Sequence, residues 1–372
     1  MDLLERRRIL YAQDTHELIF YNGLLFDGTA YIDTDIVPDT DFSFDANMIG
    51  YESLNAAQRI YDVPSTSGYT RVFQSSSTNA TNRYFTIYYG SDSALRSRNV
   101  ARYYPTIAYF NTPKAMGWGD NIETFTKGSG VPNGPITIGQ DATHSRQPFT
   151  GLLGTIQLFG QDAQDATTHA DLITYTPTNT LHPCTYDGES GLWNVEEGKF
   201  YGNSASSGTL IALNPKTCRP NSYDTTNYSY ASIANIANAY GYYSSSTTAR
   251  INLKTGSGAE TYIYFNFDTS SIPENATILR VFCTVRAYVS TTNGNLISTK
   301  NVRLYSGTTA KGSSVNLSGS TGSYLSIPCG TWTRDELSNA RLRVYAKRGA
   351  TGTSSNYYIN FYGASLIILY TV

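Results

Sequence analysis

From Asp41 to Met48 the chain alternates, with Phe42, Phe44, Ala46 and Met48 separated by Ser43, Asp45 and Asn47. A period of two sends those apolar side chains to one face, so the segment predicts a strand with one buried and one wet side. Residues 278–289 repeat the pattern, with Val281, Cys283, Val285, Ala287 and Val289 inward against Phe282, Thr284, Arg286 and Tyr288. Runs of strand length recur at Tyr84–Tyr89, Thr106–Phe110, Asn121–Phe125, Ile136–Ile138, Gly154–Phe159, Thr261–Asp268, Ala340–Lys347 and Tyr357–Tyr370. Turn chemistry separates them at Ser67-Gly68, Gly90-Ser91-Asp92, Gly128-Ser129-Gly130 and Asn133-Gly134-Pro135. Short strands with frequent Gly and Asn punctuation predict β-sandwiches.

Helical signal is sparse. Leu3, Leu4, Arg7, Leu10 and Tyr11 share one face of a predicted helix over residues 2–12. So short a helix is marginal alone and needs a dock, either its own domain or a neighbouring subunit, which makes these five residues a candidate assembly arm. Residues 232–240 fit a short helix or a loop, and Thr333 with Glu336 has capping-box spacing. Gly202–Thr226 is rich in Ser, Gly, Asn and Pro, includes Asn214-Pro215 and Arg219-Pro220, and predicts a domain boundary. The expected fold class is all-β: an N-terminal helical arm over 1–22, a jelly-roll-like sandwich over 23–213, and a second β-sandwich over 214–372.

Composition narrows the function. The 372 residues carry a net charge of −2, which offers no electrostatic footprint for nucleic acid. Only 15% of residues are charged, and the 31 Tyr outnumber the 27 Lys and Arg. Tyr joins a flat apolar ring to a polar tip, which suits half-buried strand positions and contact surfaces. The apolar run at Ser365–Tyr370 is too short to span a bilayer, so no membrane insertion is expected. The N-terminal MDLLERRRILYA has no apolar stretch of a secretory signal, which predicts synthesis and assembly in a cytoplasm. Cys184, Cys218, Cys283 and Cys329 lie far apart without CxxC and read as small buried hydrophobes.

Catalytic patterns are weak. Glycoside hydrolysis needs two carboxylates flanking one bond. Asp33-Thr34-Asp35 and Asp39-Thr40-Asp41 have alternate spacing, but they flank Ile36-Val37-Pro38 at the start of a strand. Glu196 and Glu197 sit in a turn where they point different ways. His16, His144, His169 and His182 lack ligand pairs or a nucleophile elbow, and no phosphate loop occurs. Neither an enzyme, a cofactor nor a metal site is expected. Calcium is compatible with Asp33, Asp35, Asp39, Asp41, Asp92 and Asp120, yet no site is assignable from spacing. For glycan binding the candidates are Tyr103, Tyr104 and Trp118, with Tyr242-Tyr243 beside them. Trp118 lies between Gly117 and Gly119, which lets its ring either sit at a loop tip or fold back onto the sandwich.

Three segments carry a resemblance: FDGTAYIDTDIVPDTDFSFDANM (Phe26–Met48), PFTGLLGTIQLFG (Pro148–Gly160) and LHPCTYDGESGLWNVEEGKFYGN (Leu181–Asn203). In that order they resemble the laminin-G/concanavalin-A-like jelly rolls of bacteriophage virion and tail-associated proteins, in which Trp193 would be core. Tyr262–Ala287, Gly330–Arg348 and Phe361–Tyr370 resemble the C-terminal β-sandwich of phage structural proteins, and the first of these also resembles cell-wall-associated DNRLRE-type sandwiches. The resemblance implies a structural virion protein of a tailed bacteriophage, on tail, baseplate, fibre or head surface, assembled in the bacterial host cytoplasm. Its partners would be other virion proteins, copies of itself (a trimer by family analogy) and host surface glycans. The alternatives are a jelly-roll polysaccharide depolymerase and a carbohydrate-binding module protein without catalysis.

Overall fold

The computed structural model describes residues 16–50, 58–76, 82–91, 95–96, 100–101, 106–111, 115–118, 121–124, 128–145, 148–226, 228–230, 232–240, 248–290, 297–317, 324–349 and 358–372. The chain divides into two compact units, Met1–Asn214 and Pro215–Val372. Both are all-β, built from antiparallel sheets, as the alternation predicts.

In the first unit one sheet runs Asn121–Thr124, Ala115–Trp118, Thr106–Asn111, Ser43–Gly50, Thr150–Phe159, Gly23–Asp27, and then residues 210–213 of the strand Leu210–Cys218. The second sheet runs Ile32–Asp33, Thr137–Ile138, Gln58–Val63, Tyr69–Ser76, Asn82–Ser91 and Leu95–Arg96, with Val100–Ala101 also on Asn82–Ser91. Phe26, Phe44, Leu153 and Ile156 from the first sheet, with Phe42 just ahead of its strand, bury against Ile32, Ile60, Tyr61, Val63 and Ile138 from the second. Burial of these large side chains, each worth roughly 1.5–3 kcal/mol, drives the two faces together. Phe42, Phe44 and Ala46 are buried as their spacing requires, while the Met48 side chain lies outside the described set.

A hairpin of Asn179–Tyr186 and Glu189–Asn194 turns at Asp187-Gly188, both at positive φ (51° and 80°). That conformation matches the right-handed twist of paired strands and favours an Asp-Gly or Asn-Gly pair. Trp193 packs there with Cys184 and Val195, in the core role expected of it.

In the second unit Pro220–Tyr223, Glu260–Phe267, Ala340–Arg348, Ile297–Ser306 and Thr309–Asn316 form one sheet. The long strands Thr277–Ser290 and Tyr358–Thr371 pair in a second, flanked by Tyr324–Ile327 and Ala249–Asn252. Val281, Cys283, Val285, Ala287 and Val289 all point into the core. Phe265 and Phe361 stack between the sheets with ring centroids 4.4 Å apart. Thr333 and Glu336 form a reciprocal capping box on the short helix Arg334–Leu337.

Other expectations take a more definite form. Gly90, at φ 53°, and Ser91 end the strand Asn82–Ser91, and the pairing of Thr86 with Arg96 and Ile87 with Leu95 centres the chain reversal at residue 91, where the turn chemistry predicts it; Asp92 lies outside the described residues. Gly202–Thr226, expected as a domain boundary, contains the division between the units at Asn214 and Pro215 and also holds the strands Leu210–Cys218 and Pro220–Tyr223, whose backbone groups pair despite polar side chains. Residues 232–240 combine a short strand, Ser232–Ala234, with a 3-10 turn, Ile236–Ala239. The four cysteines are free and buried. The arm residues Leu3, Leu4, Arg7, Leu10 and Tyr11 lie outside the described residues.

Candidate functional site

The strand Gln58–Val63 holds the chemistry of the first unit. In strict alternation Arg59 and Asp62, three apart, would face opposite sides. Here Arg59 pairs with Phe73 and Tyr61 with Val72, so Ile60 is an extra residue, a β-bulge. The insertion shifts the phase by one. Ile60, Tyr61 and Val63 enter the core while Arg59 and Asp62 both line the same cavity outside it. Bulges re-aim side chains in this way beside binding sites. The Ile60 carbonyl accepts the Gly139 N–H at 2.9 Å, so the bulged residue keeps a backbone partner.

Register then assembles a row across five strands. Asp33 lies opposite Thr137, Thr137 opposite Asp62, Asp62 opposite Arg71 and Arg71 opposite Tyr88. Cross-strand partners share a face, so the row is continuous. Thr137 Oγ1 donates to Asp33 at 2.8 Å, and the Arg71 guanidinium lies 5.2 Å from the Tyr88 ring centroid.

Over this row folds the turn Asp141–Ser145. The Asp141 carboxylate accepts the Ser145 N–H (3.0 Å) and the Thr143 hydroxyl (2.6 Å), an Asx-type turn. Asp62 accepts the Ala142 N–H at 3.3 Å, tying turn to sheet. His144, at φ 54°, stacks on Tyr31 (4.2 Å) with its Nε2 2.9 Å from Asp33. The result is a cavity of about 480 Å³ lined by Arg59, Asp62, Arg71, Asp141, Thr143 and Ser145. That volume falls within the roughly 300–1,000 Å³ of small-ligand sites.

Both arginines are almost wholly buried, at 7% exposure. Burial, reinforced by the neighbouring Arg71 cation, pulls the Arg59 guanidinium down to about 10, where it stays charged at neutral pH. Burial raises Asp62, and the two arginines offset part of that rise. Fixed cationic donors beside fixed anionic acceptors and two hydroxyls match a polyhydroxylated ligand, whose hydroxyl groups both donate and accept.

Of the glycan-binding candidates, Tyr103 and Tyr104 lie outside the described residues, as do Tyr242 and Tyr243. Trp118 is the last residue of its strand, paired with Asn121, and its side chain lies outside the described set. The acidic pairs separate. Asp35 bonds Lys199 and Tyr201, whereas Asp33 bonds Thr137. Glu196 accepts from Thr180, and Glu197 from Tyr201. Among the described residues no group of three metal-ligating side chains converges, and Asp92 and Asp120 lie outside them. The cavity residues escape sequence reasoning because alternation places Arg59 and Asp62 apart, and nothing local marks the extra residue. The one available signal is two charges in a short run that Pro64 closes.

No family model matches the chain, and no curated protein matches it. Among solved structures, domains LG4-5 of the mouse laminin alpha1 chain are similar at 10% identity and a TM-score of 0.30, covering 92% of this chain and 82% of that chain. The fold assignment rests on the strand pairing itself.

Proposed function

We propose that this chain is a non-catalytic surface protein of a tailed bacteriophage particle, and that its first unit binds host-surface saccharide. The particle assignment rests on the jelly-roll and phage-sandwich resemblance of Phe26–Asn203 and Tyr262–Tyr370. The saccharide assignment rests on one observation: the bulge at Ile60 gathers Arg59, Asp62, Arg71 and Asp141 around one polar cavity. Such a site recognises sugar hydroxyls through paired donors and acceptors.

A depolymerase is the second reading, because Asp62 and Asp141 line one cavity and burial raises Asp62, as a general acid requires. Both carboxylates already hold the 141–145 turn through backbone N–H groups, which favours a positioning role.

Two measurements test these readings. Antibody to the protein should decorate purified particles in electron microscopy, and labelling confined to free protein would refute the particle assignment. The full chain should bind immobilised host-surface polysaccharide without releasing reducing ends, and Asp62→Asn should weaken binding about tenfold, the equivalent of about 1.4 kcal/mol. Reducing ends that appear with the native chain and vanish with Asp62→Asn would establish the depolymerase instead.

A further inference from the structure

The outer face of the five-stranded sheet in the second unit has an unusual composition. Three registers stack into a grid: Tyr262, Tyr345 and Asn301 in one row, Tyr264, Arg343 and Arg303 in the next, Asn266, Arg341 and Tyr305 in the third. Alternate residues of the same strands, Ile263, Phe265, Leu342, Val344, Val302 and Leu304, fill the core, so period two fixes the grid to the opposite side.

The grid contains no aliphatic side chain. Guanidiniums cover the rings: Arg341 lies 4.1 Å from the Tyr264 centroid, and Arg343 lies 4.9 Å from that of Tyr305 and 5.1 Å from that of Tyr345. Arg303 and Arg343 stand directly opposite each other, a like-charge pair that costs stability in the free protein. Arg341 is matched by Asp224 at 2.9 Å. Arg303 donates to the Gly312 carbonyl, and the buried Nε of Arg343 has no hydrogen-bond partner. At the edge of the grid Lys347 pairs with Glu260 at 3.1 Å, and Arg343 is near enough to help draw Glu260 down, so Arg303, Arg341, Arg343 and Lys347 meet two carboxylates, Asp224 and Glu260.

We infer that this face docks an acidic polysaccharide, a sugar polymer bearing carboxylate groups. A carboxylate bridging Arg303 and Arg343 would relieve their repulsion and meet the guanidinium fork. Tyr262 offers a ring face and a hydroxyl to the sugars between the charges, and Tyr345, whose hydroxyl bonds Glu260, offers a ring face. A nucleic acid carries one charge per about 1.7 Å of duplex, and oligothymidylate stands for it in the test below.

The test uses the full chain against polygalacturonate, neutral dextran and oligothymidylate at low and physiological salt. Polygalacturonate should bind more tightly than either other polymer and weaken as salt rises. Arg343→Gln should lower that affinity about tenfold, the equivalent of about 1.4 kcal/mol, and Arg343→Lys should recover part of it. Arg303→Gln serves as the second variant if Arg343→Gln fails to fold, judged by its melting temperature. Equal binding of dextran and polygalacturonate, tighter binding of oligothymidylate, or affinity unchanged in both glutamine variants overturns the inference. Both variants lie in the second unit, so their outcome is separable from the cavity of the first.

Discussion

Replacing Arg59, Asp62 and Arg71 together by Met, Leu and Met should leave the first unit as stable as before, or more stable by about 1–4 kcal/mol, while abolishing saccharide binding. Burial raises Asp62 above its ordinary value of 3.8 and pulls Arg59 down to about 10, so for both groups desolvation outweighs mutual attraction. A raised carboxylate contributes its stability fully below its unfolded value and loses it as pH rises through the folded value. At neutral pH the ionised cluster is thus held at a cost. Both variants take the acceptor from the Ala142 N–H, but Asp62→Ala alone also leaves two arginines at 7% exposure facing one fewer carboxylate. Breaking a buried pair costs about 3–5 kcal/mol, and the remaining Asp141 places this case near the lower figure. For a unit of this size about 3 kcal/mol corresponds to a melting shift of roughly 6–12 °C. Differential scanning calorimetry of the three proteins decides the matter. A triple variant that loses as much as Asp62→Ala, or an Asp62→Ala protein that melts with wild type, would refute the argument that burial outweighs pairing here.

Three further outcomes follow from geometry. Gly139→Ala should destabilise the first unit by about 2 kcal/mol or more in urea unfolding, since φ is +86° and a Cβ would stand 2.7 Å from the Phe26 ring. Thr333→Ala should cost about 1 kcal/mol in the second unit by removing one half of the capping box, again read by urea. Burial pushes the thiols of Cys184 and Cys329 up to about 12 and that of Cys218 to about 11, and raises Cys283 as well, so iodoacetamide at pH 8 should label none of the four until denaturant is added.

The strands with clean alternation were legible because a single wet face forces a period of two. Asp41–Met48 and Ile278–Val289 show this best, and Thr333 with Glu336 announced its helical turn by spacing alone. Gln58–Val63 was not legible, since all six of its residues are buried and its phase breaks at Ile60. Leu210–Cys218 hid behind Asn214 and Pro215, which read as boundary chemistry while the backbone around them continues in strand. The candidate site was therefore the least visible part. Arg59, Asp62, Arg71 and Asp141 lie up to 82 residues apart in sequence, and only register and one bulge bring them together. The Tyr–Arg grid was half visible: Tyr abundance suggested contact surfaces, but which Tyr meets which Arg is set by strand order.

The bulge at Ile60 separates what the strand shows the core from what it shows the cavity. Removing Ile60 would leave Arg59 and Asp62 two apart and on one face, each opposite its present partner, so the charged row would survive the deletion. The interior would not be spared, because the core would lose the Ile60 side chain and the Gly139 N–H its acceptor. The extra residue thus thickens the hydrophobic layer without moving a single charge.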